Sequence, residues 1–146
     1  MYQFIKTLHK EFSIIPNDIS DLEKEYHIKF PTALKEYYLK YNASEISLCT
    51  FTQKNVPNDT FEVHTIYSIK YEPFIGACIL EEVLYDDRLD GFIPNNLIPF
   101  AEDRGGNRYY CDDKTENVLF IPCDDIDNPE LVCESISDFF DNLKKA

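Results

Sequence analysis

Four groups of carboxylates are the residues best suited, by type and spacing, to chemistry: Glu81-Glu82, Asp86-Asp87 with Asp90, Asp112-Asp113, and Asp124-Asp125 with Asp127. Paired carboxylates act as acid and base in glycoside hydrolysis, or they hold a hard cation. The segment Asp86-Asp87-Arg88-Leu89-Asp90-Gly91 is like half of a calcium loop, but it lacks the Asp-x-Asp-x-Asp-Gly spacing and a matching Glu. Asp124-Asp125-Ile126-Asp127-Asn128 offers oxygen ligands without a fitting register. An enzyme would need two carboxylates converging in a pocket that raises the pKa of one. A calcium module would need a reversible thermal shift with the ion. In segments that read as loops, such clusters otherwise form a solvated acidic surface.

The other reactive side chains form no constellation. His9, His27 and His64 are scattered, with no i, i+4 pair and no HExxH pattern, so they read as exposed or half-buried surface histidines. No serine stands in a GxSxG elbow. Gly105-Gly106 is followed by Asn107, not by Lys-Ser or Lys-Thr, and lies between strand candidates. Asp103, Gly105, Gly106 and Asn107 are therefore assigned to a turn, where glycine serves a positive φ. Cys49, Cys78, Cys111, Cys123 and Cys133 contain no CxxC pair and no zinc-ribbon spacing, and they read as core thiols. No catalytic residue, metal site or cofactor is assigned.

Charge restricts the partners. The chain of 146 residues has a net charge of −13. Residues 1–75 hold ten acids and eight bases, a net of −2, and residues 76–146 hold seventeen acids and six bases, a net of −11. An acidic half of this kind repels nucleic acid and anionic membrane. It suits a basic partner, whose approach it would accelerate, or it serves solubility alone. The N-terminus lacks a basic head followed by an apolar run, and the longest apolar stretch, Phe74 to Leu80, is too short for a bilayer. The expected location is the cytoplasm. The length suits one domain, and 11 Phe with 10 Tyr supply a core without staples.

The elements that must position these residues follow from periodicity. Phe4, Ile5, Leu8 and Phe12 fit a helix over Tyr2 to Phe12. Asn17 or Asp18 caps a second helix with Ile19, Leu22 and Tyr26 inward. Thr32 opens a third, with Leu34, Tyr37, Tyr38 and Tyr41 inward and a left-handed end near Asn42. Strands are expected at Ile46 to Phe51 and Thr60 to Tyr67, with a loop from Gln53 to Asp59. Cys78 to Tyr85 fits a short helix, and Asp86 to Asn96 a polar loop. Leu97 to Ala101, Asn107 to Cys111 and Val118 to Ile121 are brief strands, and an acidic loop follows. Ser135 caps a last helix carrying Ile136, Phe139, Phe140 and Leu143 inward, with Lys144-Lys145 at its end. The order points to an α+β fold in one domain, 1–146.

Three sets of residues go together: Ile15-Pro16, Leu22-Glu23, Phe30-Pro31 and the Tyr-rich run Leu34 to Asn42; Ile98-Pro99-Phe100-Ala101-Glu102-Asp103-Arg104-Gly105-Gly106-Asn107; and the closing Ser135-Ile136-Ser137-Asp138-Phe139-Phe140. In combination they resemble the SUKH superfamily, which includes bacterial immunity proteins and fungal cell-wall-assembly regulators. Ala43 departs from the usual glycine after Asn42, and Asn117 stands where a hairpin glycine is common. Residues 53–96 carry no clear match.

The resemblance implies a SUKH-like domain with a twisted, mostly antiparallel sheet packed against N-terminal helices and a closing C-terminal helix. For most bacterial members it implies a non-enzymatic role, protection of the producing cell by binding a cognate polymorphic toxin domain. Many such toxins are nucleases with basic surfaces. Asp86, Asp87, Asp90, Asp112, Asp113, Asp124, Asp125 and Asp127 are then expected to form the partner-binding surface. The alternative is a regulatory or scaffolding domain with an intracellular partner unrelated to toxins.

Overall fold

Helix α1 begins on a proline because that residue needs no N–H at the first helical position. It spans Pro16–Tyr26, so Pro16 opens the helix ahead of the expected cap at Asn17 or Asp18. Asp18 still serves the end, since its carboxylate accepts the Ile15 N–H at 2.9 Å. Helix α2, Thr32–Tyr41, buries Leu34, Tyr37 and Tyr38 as its spacing requires. The structure, a computed structural model, describes residues 1–54 and 56–146. The part of the expected Gln53 to Asp59 loop that falls on Asn55 lies outside the described residues.

The first segment is not a helix. Ile5–Leu8 is strand β1, followed by a 3-10 turn at Lys10–Phe12. The helical spacing of its apolar residues is overridden by antiparallel pairing with β2, Ser44–Ile46. Two more expected strands are each divided in two. Ile46 to Phe51 becomes β2 and β3, Cys49–Gln53, and Thr60 to Tyr67 becomes β4, Val56–Val63, and β5, Thr65–Ile66. Because β4 starts at Val56 and Gln53 pairs with it, most of the expected loop is strand.

Helix α3 runs over Leu80–Asp90, a turn longer than expected, and takes Asp86, Asp87 and Asp90 out of the anticipated polar loop. Gly91, at φ 75°, ends it, and the Gly91 N–H donates to Asp87 O. Strands β6 (Leu97–Glu102), β7 (Arg108–Asp112) and β8 (Val118–Ile121) appear where anticipated. The acidic loop then gives way to a further strand, β9 (Glu130–Cys133). Ser135 caps α4, Ile136–Asn142, by accepting the Asp138 N–H at 3.3 Å. Lys144–Lys145 does not extend that helix. It forms β10 against Thr50 and Cys49, because the chain turns extended at Leu143.

The result is a single α+β domain with three antiparallel sheets: β1-β2, β10-β3-β4 and β5-β6-β7-β8-β9. Helix α4 is wedged among them. The Phe139 ring meets Phe51, Phe100 and Tyr109, and Phe140 stacks on Tyr37 at 4.2 Å between centroids. Alternation along β7 sends Tyr109 and Cys111 into this main core and Tyr110 to the other face of the five-stranded sheet. There Ile93, Leu97, Tyr110 and Ile121 form a second, smaller core.

Candidate functional site

The second face of the five-stranded sheet carries a groove of about 170 Å³. Arg108, Tyr110 and Ile121 form its floor; α3 and the residues after it supply Asp87, Asp90, Phe92 and Ile93; the β8–β9 connection supplies Pro122, Cys123 and Ile126. Gly91 turns the chain so that Ile93 joins the smaller core, leaving Phe92 74% exposed beside it.

Asp87 belongs to the floor. It is only 5% exposed; the Tyr110 hydroxyl donates to Oδ2 at 2.8 Å, and Arg108 Nη1 lies 3.2 Å from Oδ1. Burial pushes its carboxyl above the usual aspartate range, while the Tyr110 hydroxyl and the Arg108 charge pull in the opposite direction. The expectation that Asp87 is a solvated surface acid is thereby corrected. On a helix extended to Asp90, residues Leu80, Val83, Leu84 and Asp87 share the inner face at i, i+3, i+4 and i+7.

The remaining expected acids divide into two sets. Asp86 and Asp90 are exposed on α3, in line with Glu82 at intervals of four residues. Like charges at that spacing destabilise a helix by a few tenths of a kcal/mol, roughly, for each pair. None of the three pairs with Lys or Arg among the described residues. Asp124, Asp125 and Asp127 are exposed around Ile126, with Asp125 accepting the Asn128 amide at 2.7 Å.

Asp112 and Asp113 stand at the opposite end of β7, about 13 Å away by strand rise. They are half-buried. Asp112 accepts the N–H groups of Lys114 and Thr115 and the Asn96 amide. Burial works against its charged form, yet these donors outweigh it and hold the carboxyl below the usual range. Asp113 receives the Lys29 N–H at 3.4 Å.

The turn assigned to Asp103, Gly105, Gly106 and Asn107 has a definite geometry. Asp103 Oδ1 accepts the N–H of Gly105 and of Asn107, each at 2.9 Å, and Oδ2 accepts the Asn107 amide at 2.9 Å. Gly106 sits at φ 81°. Asn107 Oδ1 in turn accepts the Cys123 N–H at 2.9 Å, so the turn positions one wall of the groove. Arg104 anchors it to β4 through a forked contact with Glu62, at 2.9 and 2.7 Å.

The cysteines are free. Cys49 and Cys111 are buried and Cys78 and Cys133 half-buried, with burial pushing the Cys49, Cys78 and Cys133 thiols up to about 11. Cys123 departs from the expected core placement: Pro122 ends the strand region before it, and the thiol is exposed on the groove wall. Among the described residues no three His, Cys, Asp or Glu side chains converge as metal ligands. No helix among them is long and apolar enough to cross a membrane.

Architecture and order of elements define a single α+β domain with antiparallel sheets and a helix near its C-terminal end. Residues 14–142 match the SMI1 / KNR4 family (SUKH-1), and the chain belongs to that family. Family members are typically non-enzymatic immunity or regulatory proteins. No curated protein matches the chain.

Proposed function

We propose that this chain is an immunity protein that binds and neutralises a cognate toxin domain in the cytoplasm of the producing cell. One observation carries the proposal: in a family generally made of immunity proteins of polymorphic toxin systems, a groove with apolar walls is lined by the exposed Asp90, and the exposed Asp124, Asp125 and Asp127 flank its wall residues Cys123 and Ile126 in the chain. Asp86, Asp90, Asp124, Asp125 and Asp127 supply the near field, Asp112 and Asp113 extend it from the far end of the hairpin, and Asp87 acts from beneath by holding the floor. Of the six bases in the acidic half, Arg104 and Arg108 are already paired with Glu62 and Asp87, and Arg88 donates to Asn95. A nuclease toxin, whose surface must grip phosphates, is the complementary partner. Binding of this kind needs no cofactor and no catalytic residue.

Co-expression with basic toxin domains encoded beside this chain tests the proposal. Restored growth, and a complex whose affinity falls as salt rises, is the expected outcome. Failure to protect against any of them, with capture of a non-toxin protein insensitive to salt, overturns it in favour of a regulatory or scaffolding domain.

A further inference from the structure

We propose that the groove between Phe92 and Ile126 receives a single aromatic side chain carried on a basic segment of the partner. The inference rests on the reading above that the partner is basic, and it adds what lies at the centre of the contact.

The lining decides the occupant. Phe92, Ile93, Ile121, Pro122, Ile126 and the Tyr110 ring give the groove its apolar walls, beside the polar Asp87, Asp90 and Arg108. Its volume of about 170 Å³ is close to that of an apolar cavity that takes one benzene ring, roughly 150 Å³. Two of the walls are uncovered, Phe92 at 74% and Ile126 at 37% exposure. Exposed apolar surface rimmed by polar groups is the usual mark of an interaction site.

Charge at the floor and at the rim then separates two possible occupants. Asp87 and Arg108 neutralise one another at the bottom, so a cation pushed into the groove would meet a carboxylate already satisfied and a guanidinium that repels it. Of the acids without a salt bridge, Asp90 lines the groove, and the exposed Asp124, Asp125 and Asp127 adjoin its wall residues Cys123 and Ile126 in the chain. Cations are therefore favoured beside the anchor and an apolar ring within it. A desolvated aromatic anchor inside a polar rim is the common arrangement of interface hot spots. The rim sets the rate of association, and the groove sets how long the complex lasts.

The probes are two capped peptides, Lys-Lys-Trp-Lys-Lys and Lys-Lys-Ala-Lys-Lys, titrated into the isotopically labelled full chain and followed by amide chemical shifts. The tryptophan peptide should perturb Gly91, Phe92, Ile93, Cys123 and Ile126, and should bind about tenfold more tightly or better than the alanine peptide. The ratio should persist at about 0.15 M salt, where the common charge attraction is screened. Phe92→Ala and Ile126→Ser, both at exposed positions, should each lower the tryptophan peptide towards the alanine one. Replacing Asp90, Asp124 and Asp125 by Asn should weaken both peptides alike. Equal affinities, shifts away from the groove, or no shift from the tryptophan peptide at low salt overturns the inference. The peptides report on the groove whether or not a toxin exists. A tryptophan preference in a chain that neutralises no toxin keeps the groove and removes the toxin. Protection that survives both groove variants, with no tryptophan preference, keeps the toxin and removes the groove.

Discussion

The side chain of Asn42 pairs with the main chain of Ile69 as a second peptide group would: Nδ2 donates to Ile69 O at 2.9 Å, and Ile69 N donates to Oδ1 at 2.8 Å. The same Nδ2 donates to Phe12 O at 2.9 Å. One buried amide thus joins the end of α2, the 3-10 turn before α1 and the segment after β5. Asn42→Ala leaves main-chain groups of Ile69 and Phe12 without a partner, and should cost about 2–4 kcal/mol. Asn42→Asp retains an acceptor but faces two carbonyls without a donor, and should be no better. Urea unfolding checks both; a loss below about 1 kcal/mol would mean that water replaces the amide.

Asp87 predicts a definite pH dependence. Its folded pKa is raised by burial, so the stability it contributes is fully present below the ordinary aspartate value of about 3.9 and is lost as pH rises through the higher folded value. Asp87→Asn cannot titrate, so the difference in unfolding free energy should move in the variant's favour as pH rises through that window. The opposite slope would mean that Arg108 and Tyr110 dominate burial. Asp87→Ala, which removes both contacts, should cost about 1.5–3 kcal/mol at neutral pH.

The turn separates backbone strain from hydrogen bonding. A Cβ at Gly106 would meet no atom within 4 Å, so Gly106→Ala should cost only its positive φ, about 1–2 kcal/mol. Asp103→Ala removes the acceptor of three bonds and should cost a similar amount. It should also shift the Cys123 amide resonance, because Asn107 is no longer held. A Cys123 resonance unmoved by Asp103→Ala would detach the turn from the groove.

Tyr38 is fully buried, and its hydroxyl has no hydrogen-bond partner among the described residues. Tyr38→Phe removes a polar group that left water without compensation, and thermal unfolding should show a gain of about 1 kcal/mol. A loss of similar size would reveal a bound water.

Reversing Asp90, Asp124 and Asp125 to Lys should slow association with a basic partner about tenfold or more at low salt, flatten its salt dependence and leave dissociation little changed. Stopped-flow mixing separates the two rates; unchanged association would reduce these acids to a solubility feature.

Long-period features were legible. The apolar faces of α1, α2 and α4, the three strands from Leu97 to Ile121 and the Asp103–Asn107 turn all follow from spacing and turn chemistry. What escaped depends on distant partners. The apolar residues from Phe4 to Phe12 fit a helix, and only the presence of Ser44–Ile46 beside them makes a strand. Asn42 is the residue type that suits a left-handed helix end, yet it is extended at ψ 145° because its amide is engaged elsewhere, and Ala43 takes φ 65° instead. In the β7–β8 hairpin, Glu116 and not Asn117 has the positive φ. The groove escaped for a plainer reason. Ending α3 at Tyr85 placed Asp87 in solvent and left Arg108 and Tyr110 without a role.

Gln53 Nε2 donates to the carbonyls of both Leu131 and Val132, occupying acceptors on β9, the last strand of the five-stranded sheet. At the opposite margin β5 is only two residues long. Open strand edges are where identical chains zip together into aggregates. Here one margin is stitched by a side chain and the other is too short to template a ladder. The five-stranded sheet that floors the groove therefore offers a newcomer side-chain chemistry, not unpaired backbone.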